Sequence, residues 1–569
     1  MRNTFRVFLA ACWLLVSVGA VHAEAPASEE PIVVRGATSL GDEVIPYKFY
    51  GDVRDLPLVS PWEFGDGFEI NPRRSLGHLG EPWAPQVLDP LVEKQRAYTP
   101  RGGGPSITEV HNFEGIDGGN LFPPDPSGDI GKNYYITAIN ASTFSIYDKV
   151  TGNLVAGPTA MDSLGSGVCA AGRGDPIIVY DQFAERWIMS EFEFGNSGLC
   201  VYVSMTDDPV SGGWCEYQFV PSRFPDYFKI GIWTDAYTVS ANYASAGQPP
   251  PVYALDRENM MSCGTARPLQ EIAGPFLSGL GFQAFTPADI DGSTLPPAGT
   301  PSLHMRHRDT ELGNQGPSLP TEDILELWEL DVDWDTPANT TFTKLPDIIT
   351  TEFDSNLCPP IGVFSCIPQP GTSNRLDPLL EVIMYRLTYR NFGAYESILG
   401  VLQTDVGDFA DHSGERWFEV RRSGGGAWAL HQEGTYSPDA DHRFMGAITQ
   451  DGSGNVLLAY TVSSGTTSPS VRYTGREAGD PMGVMTLPEQ TLVAGTGNFF
   501  GSRWGDYSQM GIDPEDDCTF WFVVEHTEGT NNNTQRIGAV RFDSCGGPAI
   551  FLDSFEAGDL LAWSNVIVD

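Results

Sequence analysis

Positive charge is scarce in this 569-residue chain: 33 Lys and Arg stand against 74 Asp and Glu, a formal net charge of −41. Such a surface repels phosphate, so nucleic acid and anionic lipid are excluded as partners, since both require a basic footprint. Solubility at physiological salt, where the Debye length is about 8 Å, accounts for the acidity without a functional role. Long apolar runs are absent beyond the first residues, so no membrane span is expected after the N-terminal segment. No sustained i, i+3, i+4, i+7 apolar pattern occurs, and helix is therefore expected to be rare. Enzyme motifs are missing as well. There is no Gly-x-Ser-x-Gly elbow, His-Glu-x-x-His zinc helix, phosphate-binding glycine loop or Cys-x-x-Cys pair, which removes the enzyme classes those motifs identify.

At the N-terminus, Arg2 and Arg6 precede or flank an apolar run from Val7 to Val21 that ends in Val21-His22-Ala23. This is the pattern of an export signal, and residues 1–23 are predicted to be cleaved after Ala23, placing the protein outside the cell or on its surface. The remaining cysteines form an even set, which in an oxidising compartment reads as disulfides. Cys358 with Cys366 closes a short loop, and Cys518 with Cys545 ties the last two strands. Cys169, Cys200, Cys215 and Cys263 pair either as neighbours or across two repeats.

Residues 24–104 are Pro-rich and read as an irregular extension, with Trp62, Phe64 and Trp83 expected to pack it on the domain. From 105 to 545 the chain repeats one unit: an apolar strand, a turn bearing Asp or Asn, and a second strand rich in aromatic or β-branched residues. Seven such hairpins occur, at Tyr134 to Tyr147, Pro176 to Glu191, Phe228 to Asn242, Phe285 to Arg306, Val382 to Leu402, Phe444 to Ser463, and Tyr507 to Glu525. Hairpins at intervals of tens of residues predict an all-β fold, a β-propeller of seven four-stranded blades. Six or eight blades, or two β-sandwiches, are the alternatives. Ile107 to Phe113 is the expected closing strand, pairing with the last blade.

Several stretches resemble a family of uncharacterised secreted bacterial propeller proteins, loosely related to the sialidase-like superfamily. They are Pro123-Pro124-Asp125-Pro126-Ser127-Gly128-Asp129-Ile130-Gly131, Gly174-Asp175-Pro176 with Tyr180-Asp181-Gln182 and Arg186-Trp187, Met384-Tyr385-Arg386-Leu387-Thr388-Tyr389-Arg390-Asn391-Phe392, His442-Arg443-Phe444-Met445-Gly446, and Arg503-Trp504-Gly505-Asp506-Tyr507-Ser508. The resemblance implies a propeller and is silent on activity. The chain departs from the family pattern in carrying Ala394-Tyr395 and Leu402-Gln403 where related sequences place histidines, and it lacks the Phe-Arg-Ile-Pro start of true sialidases. The tail, residues 546–569, contains Phe551-Leu552-Asp553-Ser554-Phe555-Glu556-Ala557-Gly558-Asp559 and Trp563-Ser564. It resembles a short ending found on exported bacterial proteins, which implies sorting or attachment; a last strand packed on the domain is the structural alternative.

In a propeller, residues at the starts of the inner strands converge on one channel mouth. Asp129, Asp175, Asp226, Tyr227, Arg386, His442, Arg443, Arg503 and Asp506 occupy such positions. Paired carboxylates there could hydrolyse a glycosidic bond, and Tyr or His beside an arginine-neutralised uronate could abstract a proton. The structural alternative is that each Asp caps backbone amides and pairs with an Arg of the next blade. Asp289, Asp291, Asp513 and Asp516 lie in acidic turns and are the candidates for a structural Ca²⁺; no other cofactor is expected. Thirteen Trp and 20 Tyr offer stacking surfaces for sugars. Three functions fit: a monomeric module binding an extracellular polysaccharide or other cell-surface ligand, a glycan-active hydrolase or lyase, and a surface adhesion protein.

Overall fold

The computed structural model describes residues 31–60, 89–99 and 106–546, apart from 173, 194–197, 244–247, 278–283, 312–318, 320, 356, 359–364, 380–381 and 408–410. The export signal, the C-terminal motif and the extension's Trp62, Phe64 and Trp83 lie outside the described residues. The regular structure among the described residues is predominantly strand, with α-helix confined to Pro90–Ala97 and Arg257–Met260.

Seven units follow one another along the chain, each beginning with a first strand: Ser127–Ile130, Ile177–Asp181, Pro225–Ile232, Thr286–Asp291, Leu387–Asn391, His442–Gln450 and Gln509–Ile512. We number them units 1 to 7. In each, three further antiparallel strands pair in sequence, except that unit 7 takes its fourth from far upstream: Ile107–Gly119 pairs with Asn533–Phe542. The sheets of units 4 and 5 are joined, because Ala288 to Asp291 pairs in parallel with Leu387 to Arg390. The units therefore form six separately hydrogen-bonded sheets. Side-to-side contacts between first strands run in cyclic order, from unit 1 through unit 7 and back to unit 1.

The strands form where the sequence reads as near-continuous apolar runs. Ile177-Ile178-Val179-Tyr180 and Val456-Leu457-Leu458-Ala459-Tyr460 are buried at every position, as expected of sheets covered on both faces. Seven tryptophans, Trp187, Trp214, Trp233, Trp328, Trp417, Trp504 and Trp521, are among the most deeply buried side chains. These rings fill the spaces between sheets and are not available to stack on sugars.

Two readings of the sequence change. The first repeat is out of phase, since Tyr134–Ile139 and Thr143–Asp148 are the second and third strands of unit 1. The extension, expected to be irregular, contributes three short edge strands: Val33–Arg35 on unit 4, Thr38–Leu40 on unit 3 and Tyr47–Phe49 on unit 2. Four disulfides are present, Cys358–Cys366, Cys518–Cys545, Cys169–Cys200 and Cys215–Cys263. The last of these joins unit 2 to the helical turn of unit 3. Together with the absence, among the described residues, of a helix long and apolar enough to cross a membrane, they are consistent with an extracellular protein.

Candidate functional site

Where the first strands meet, two layers of polar side chains replace the apolar core. The deeper layer centres on Arg386, 2% exposed. Its Nε lies 2.6 Å from Asp289 Oδ2, its guanidinium also pairs with Asp291, and Asp129 Oδ1 stands 3.9 Å away. The free lone pairs of those acids are taken by neighbouring units. Asp129 accepts from the Tyr180 amide at 2.8 Å, Asp289 from the Ile232 amide at 2.7 Å and Asp291 from the Thr449 hydroxyl at 2.8 Å. Arg386 itself donates to the Met510 carbonyl at 3.1 Å. One guanidinium and three carboxylates thus bond, directly or through one another, to the first strands of units 1, 2, 3, 4, 6 and 7, from the residue just ahead of unit 5. Burial pushes Asp129 up to about 6 and Asp289 to about 7, against the opposing pull of Arg386.

The outer layer gathers Asp125, Asp175, Asp226, Tyr227, Lys229, Arg503, Asp506, Tyr507 and Glu525, whose charges act on one another. Lys229 is its floor. The ammonium is 1% exposed, has no hydrogen-bond partner among the described residues, and sits 3.0 Å from the Tyr507 ring centroid and 3.6 Å from that of Tyr227. This is the geometry of a cation held by aromatic faces. Burial drives its pKa well below the usual lysine range, while the surrounding acids oppose that shift. The Tyr507 hydroxyl donates to Asp175 Oδ2 at 2.5 Å, Tyr227 donates to the Asp506 carbonyl at 3.1 Å, and Arg503 pairs with Asp506.

Above this floor, Asp175, Asp226 and Arg503 keep partial exposure. Desolvation raises Asp175 to about 7, with the Tyr507 hydrogen bond pulling the other way. The backbone is bent to serve the layer: Asp125, Asp175 and Tyr227 have φ of 47°, 50° and 50°. Each stands two residues ahead of Ser127, Ile177 and Lys229, where regular first-strand pairing begins or resumes. A left-handed conformation at a non-glycine residue costs about 1–3 kcal/mol and persists where the surroundings over-determine it.

Of the residues singled out from the sequence, Asp175, Asp226, Tyr227, Arg503 and Asp506 come together in this outer layer, and Arg386 and Asp129 lie in the layer beneath. His442 and Arg443 belong to neither. His442 accepts from the Ser413 amide at 3.2 Å and packs against His412, and burial pushes it down to about 4. Arg443 is gripped by Asp439 at 2.6 Å and Glu489 at 3.0 Å. The four acids read as calcium candidates also have other partners. Asp289 and Asp291 hold Arg386, Asp513 Oδ1 is 2.6 Å from Lys149 Nζ, and Asp516 caps the Cys518 amide at 2.8 Å.

Asp125, Lys229, Tyr507 and Glu525 were missed, although the first two left a trace. Asp125-Pro126 repeats Asp175-Pro176 at the same offset from a first strand, and Lys229 is a lone charge inside the apolar run Phe228-Lys229-Ile230.

No family model matches the sequence, and no curated protein does. Among solved structures, a polysaccharide lyase of a new family, an ulvan lyase, is similar at 11% identity and a TM-score of 0.32, over 76% of this chain and 97% of that one. The WD40 domain of SCAP from fission yeast follows at 9% identity and 0.31, over 77% and 98%. An exo-β-1,3-galactanase from Clostridium thermocellum stands at 11% and 0.27, over 78% and 98%. Similarities this low do not fix what the chain binds or does.

Proposed function

We propose that the seven units are blades of a propeller arranged radially about Arg386, and that the exported protein is a monomeric glycan-binding or scaffold module. The observation that carries the radial reading is the deeper layer, where one buried guanidinium and its acids reach the first strand of every other unit. The ligand-facing surface is the rim of Asp175, Asp226 and Arg503. Carboxylates and an arginine suit the hydroxyls of a sugar.

Binding is favoured over cleavage because the groups a catalyst would deploy are bonded to each other. Asp506 holds Arg503, the phenol of Tyr507 is spent on Asp175, and Lys229 lies sealed beneath. The second reading, a glycan hydrolase or lyase, is favoured by Asp175 alone, a partly exposed carboxyl held near neutrality.

Purified protein screened by affinity electrophoresis against acidic and neutral polysaccharides is expected to bind at least one without releasing reducing ends or unsaturated uronates. Arg503→Gln should weaken that binding about tenfold or more, the scale of a lost charge-assisted contact. Product formation abolished by Asp175→Asn would establish the enzymatic reading instead; retention of none of the polysaccharides would end both.

A further inference from the structure

Unit 4 ends in a second group of acids, remote in its contacts from the Arg386 layer. Asp309 follows the strand Ser302–Arg308, Asp323 is the second residue of Glu322–Asp331, and Glu311 lies in the connection between them. One carboxylate oxygen from each lies within 4.8 Å of the others. The backbone is folded to hold two of them. Asp323 accepts from the Thr310 amide at 2.7 Å and the Phe353 amide at 2.8 Å, and Asp309 accepts from the Ser355 amide at 2.9 Å. Those amides orient the carboxylates without neutralising them.

A second observation points to something these acids would hold. Glu352, just past the strand Ile348–Thr351, is 4% exposed, and its Oε2 has no hydrogen-bond partner among the described residues. The neighbouring charges that bear on it most are those of Glu311 and Asp309. A sealed carboxylate beside other carboxylates is costly unless a proton or a cation joins it. Burial, reinforced by these neighbours, accordingly pushes Asp309 up to about 6, Glu352 to about 8 and Asp323 to about 9.

We propose that Asp309, Glu311 and Asp323, with Glu352 beside them, form a Ca²⁺ site that ties the connection after Ser302–Arg308 to the segment following Ile348–Thr351. The donors are all hard oxygens, with neither the imidazole nor the thiolate that would select zinc or copper. Ca²⁺ takes six to eight oxygens at about 2.3–2.6 Å, so the oxygens of Asp309, Glu311 and Asp323, all within 4.8 Å of one another, are close enough to share one ion. Mg²⁺ demands a near-ideal octahedron at about 2.0–2.1 Å and gives up its waters reluctantly, so a site built from several protein carboxylates suits Ca²⁺ better.

The test is calorimetric titration of the full chain, stripped with EDTA and exchanged into metal-free buffer, with CaCl₂ and separately with MgCl₂. One saturable Ca²⁺ site, a weaker Mg²⁺ response and a Ca²⁺-dependent rise in melting temperature are expected. Glu311→Gln is the variant of choice because Glu311 is partly exposed and its loss leaves the amide contacts of Asp309 and Asp323 in place. It should weaken Ca²⁺ about tenfold or more, with an unchanged far-UV spectrum. Asp513→Asn with Asp516→Asn, in the other acidic turn, should leave the titration unaltered. No saturable heat and no thermal shift in the stripped protein would overturn the proposal. So would wild-type affinity in Glu311→Gln, loss of binding in the Asp513/Asp516 variant, or Mg²⁺ binding as tight as Ca²⁺.

Discussion

Arg386 shows at the scale of one residue why sequence motifs failed here. Its partners Asp129, Asp289 and Asp291 come from two other units, so no local spacing records the group. The residue types alone could be read, an Asp or Arg at the start of a strand, and that placed Arg386 and Asp175 on one list. They could not be sorted into a buried tie and an accessible rim, because burial depends on which strands become neighbours. The energetics of the tie are asymmetric. Removing one partner of a buried ion pair leaves the other charge uncompensated at a cost of about 3–5 kcal/mol, whereas the intact pair contributes little beyond a well-packed apolar substitute. Arg386→Met, of similar length, strands three acids at 5%, 1% and 7% exposure. It is therefore expected to lose about 3–5 kcal/mol in chemical denaturation. The triple variant Arg386→Met, Asp289→Asn, Asp291→Asn should recover part of that loss, because the uncompensated charges go with it. A single variant as stable as the wild type would mean that the layer carries no structural load.

Elements were legible in proportion to how much of their burial comes from apolar side chains. The hairpins of units 2 to 7 announce themselves through Ile, Val, Phe and Trp. Unit 1 does not: its first strand is Ser127-Gly128-Asp129-Ile130, buried at every position but held by polar bonds such as Ser127 to Gln509 at 2.9 Å and Asp129 to Tyr180. That is why the reading slipped by one strand there. The three edge strands before residue 50 were invisible for a related reason, since three-residue strands join a sheet mainly through backbone hydrogen bonds that any side chain permits. The closing element of unit 7 is better marked. Ile107–Gly119 pairs with Asn533–Phe542, and Cys518–Cys545, separated by 27 residues, clamps the same sheet. Restricting a loop of that length in the unfolded chain is worth about 2–4 kcal/mol. Cys518→Ser with Cys545→Ser should lower stability by about that amount, and a protease should cut first near the freed end of unit 7. Initial cleavage in another unit would show that the closing sheet is held by its strands alone.

The molecule as a whole is an acidic body with acids inside it, and this sets the direction of its pH response. Burial pushes Glu191 and Glu415 up to about 8, Asp289 to about 7, and Asp129 and Asp451 to about 6. A carboxyl whose folded pKa exceeds its unfolded value gives stability that is complete below the ordinary range and is lost as pH rises through the folded value. These five groups therefore lose their contribution progressively up to about pH 8. Buried histidines act the other way. His304 and His307 are pushed down to about 3 and His442 to about 4, so their contribution is complete above about 6.5 and is lost as pH falls toward those values. Raised acids outnumber the histidines and the buried Lys229, whose lowered pKa acts in the histidines' direction, and the chain's net charge of −41 adds self-repulsion that fades as exposed acids protonate. Both comparisons favour the acid side of neutrality. The urea midpoint should be higher at about pH 5.5 than at about pH 8. Glu191 accepts from the Tyr202 hydroxyl at 2.7 Å and is 0% exposed, so Glu191→Gln, which cannot ionise, should narrow that difference by raising the midpoint at the alkaline end. A wild-type midpoint that climbs from about pH 5.5 to about pH 8 would mean that the buried histidines, and not the buried acids, govern the balance.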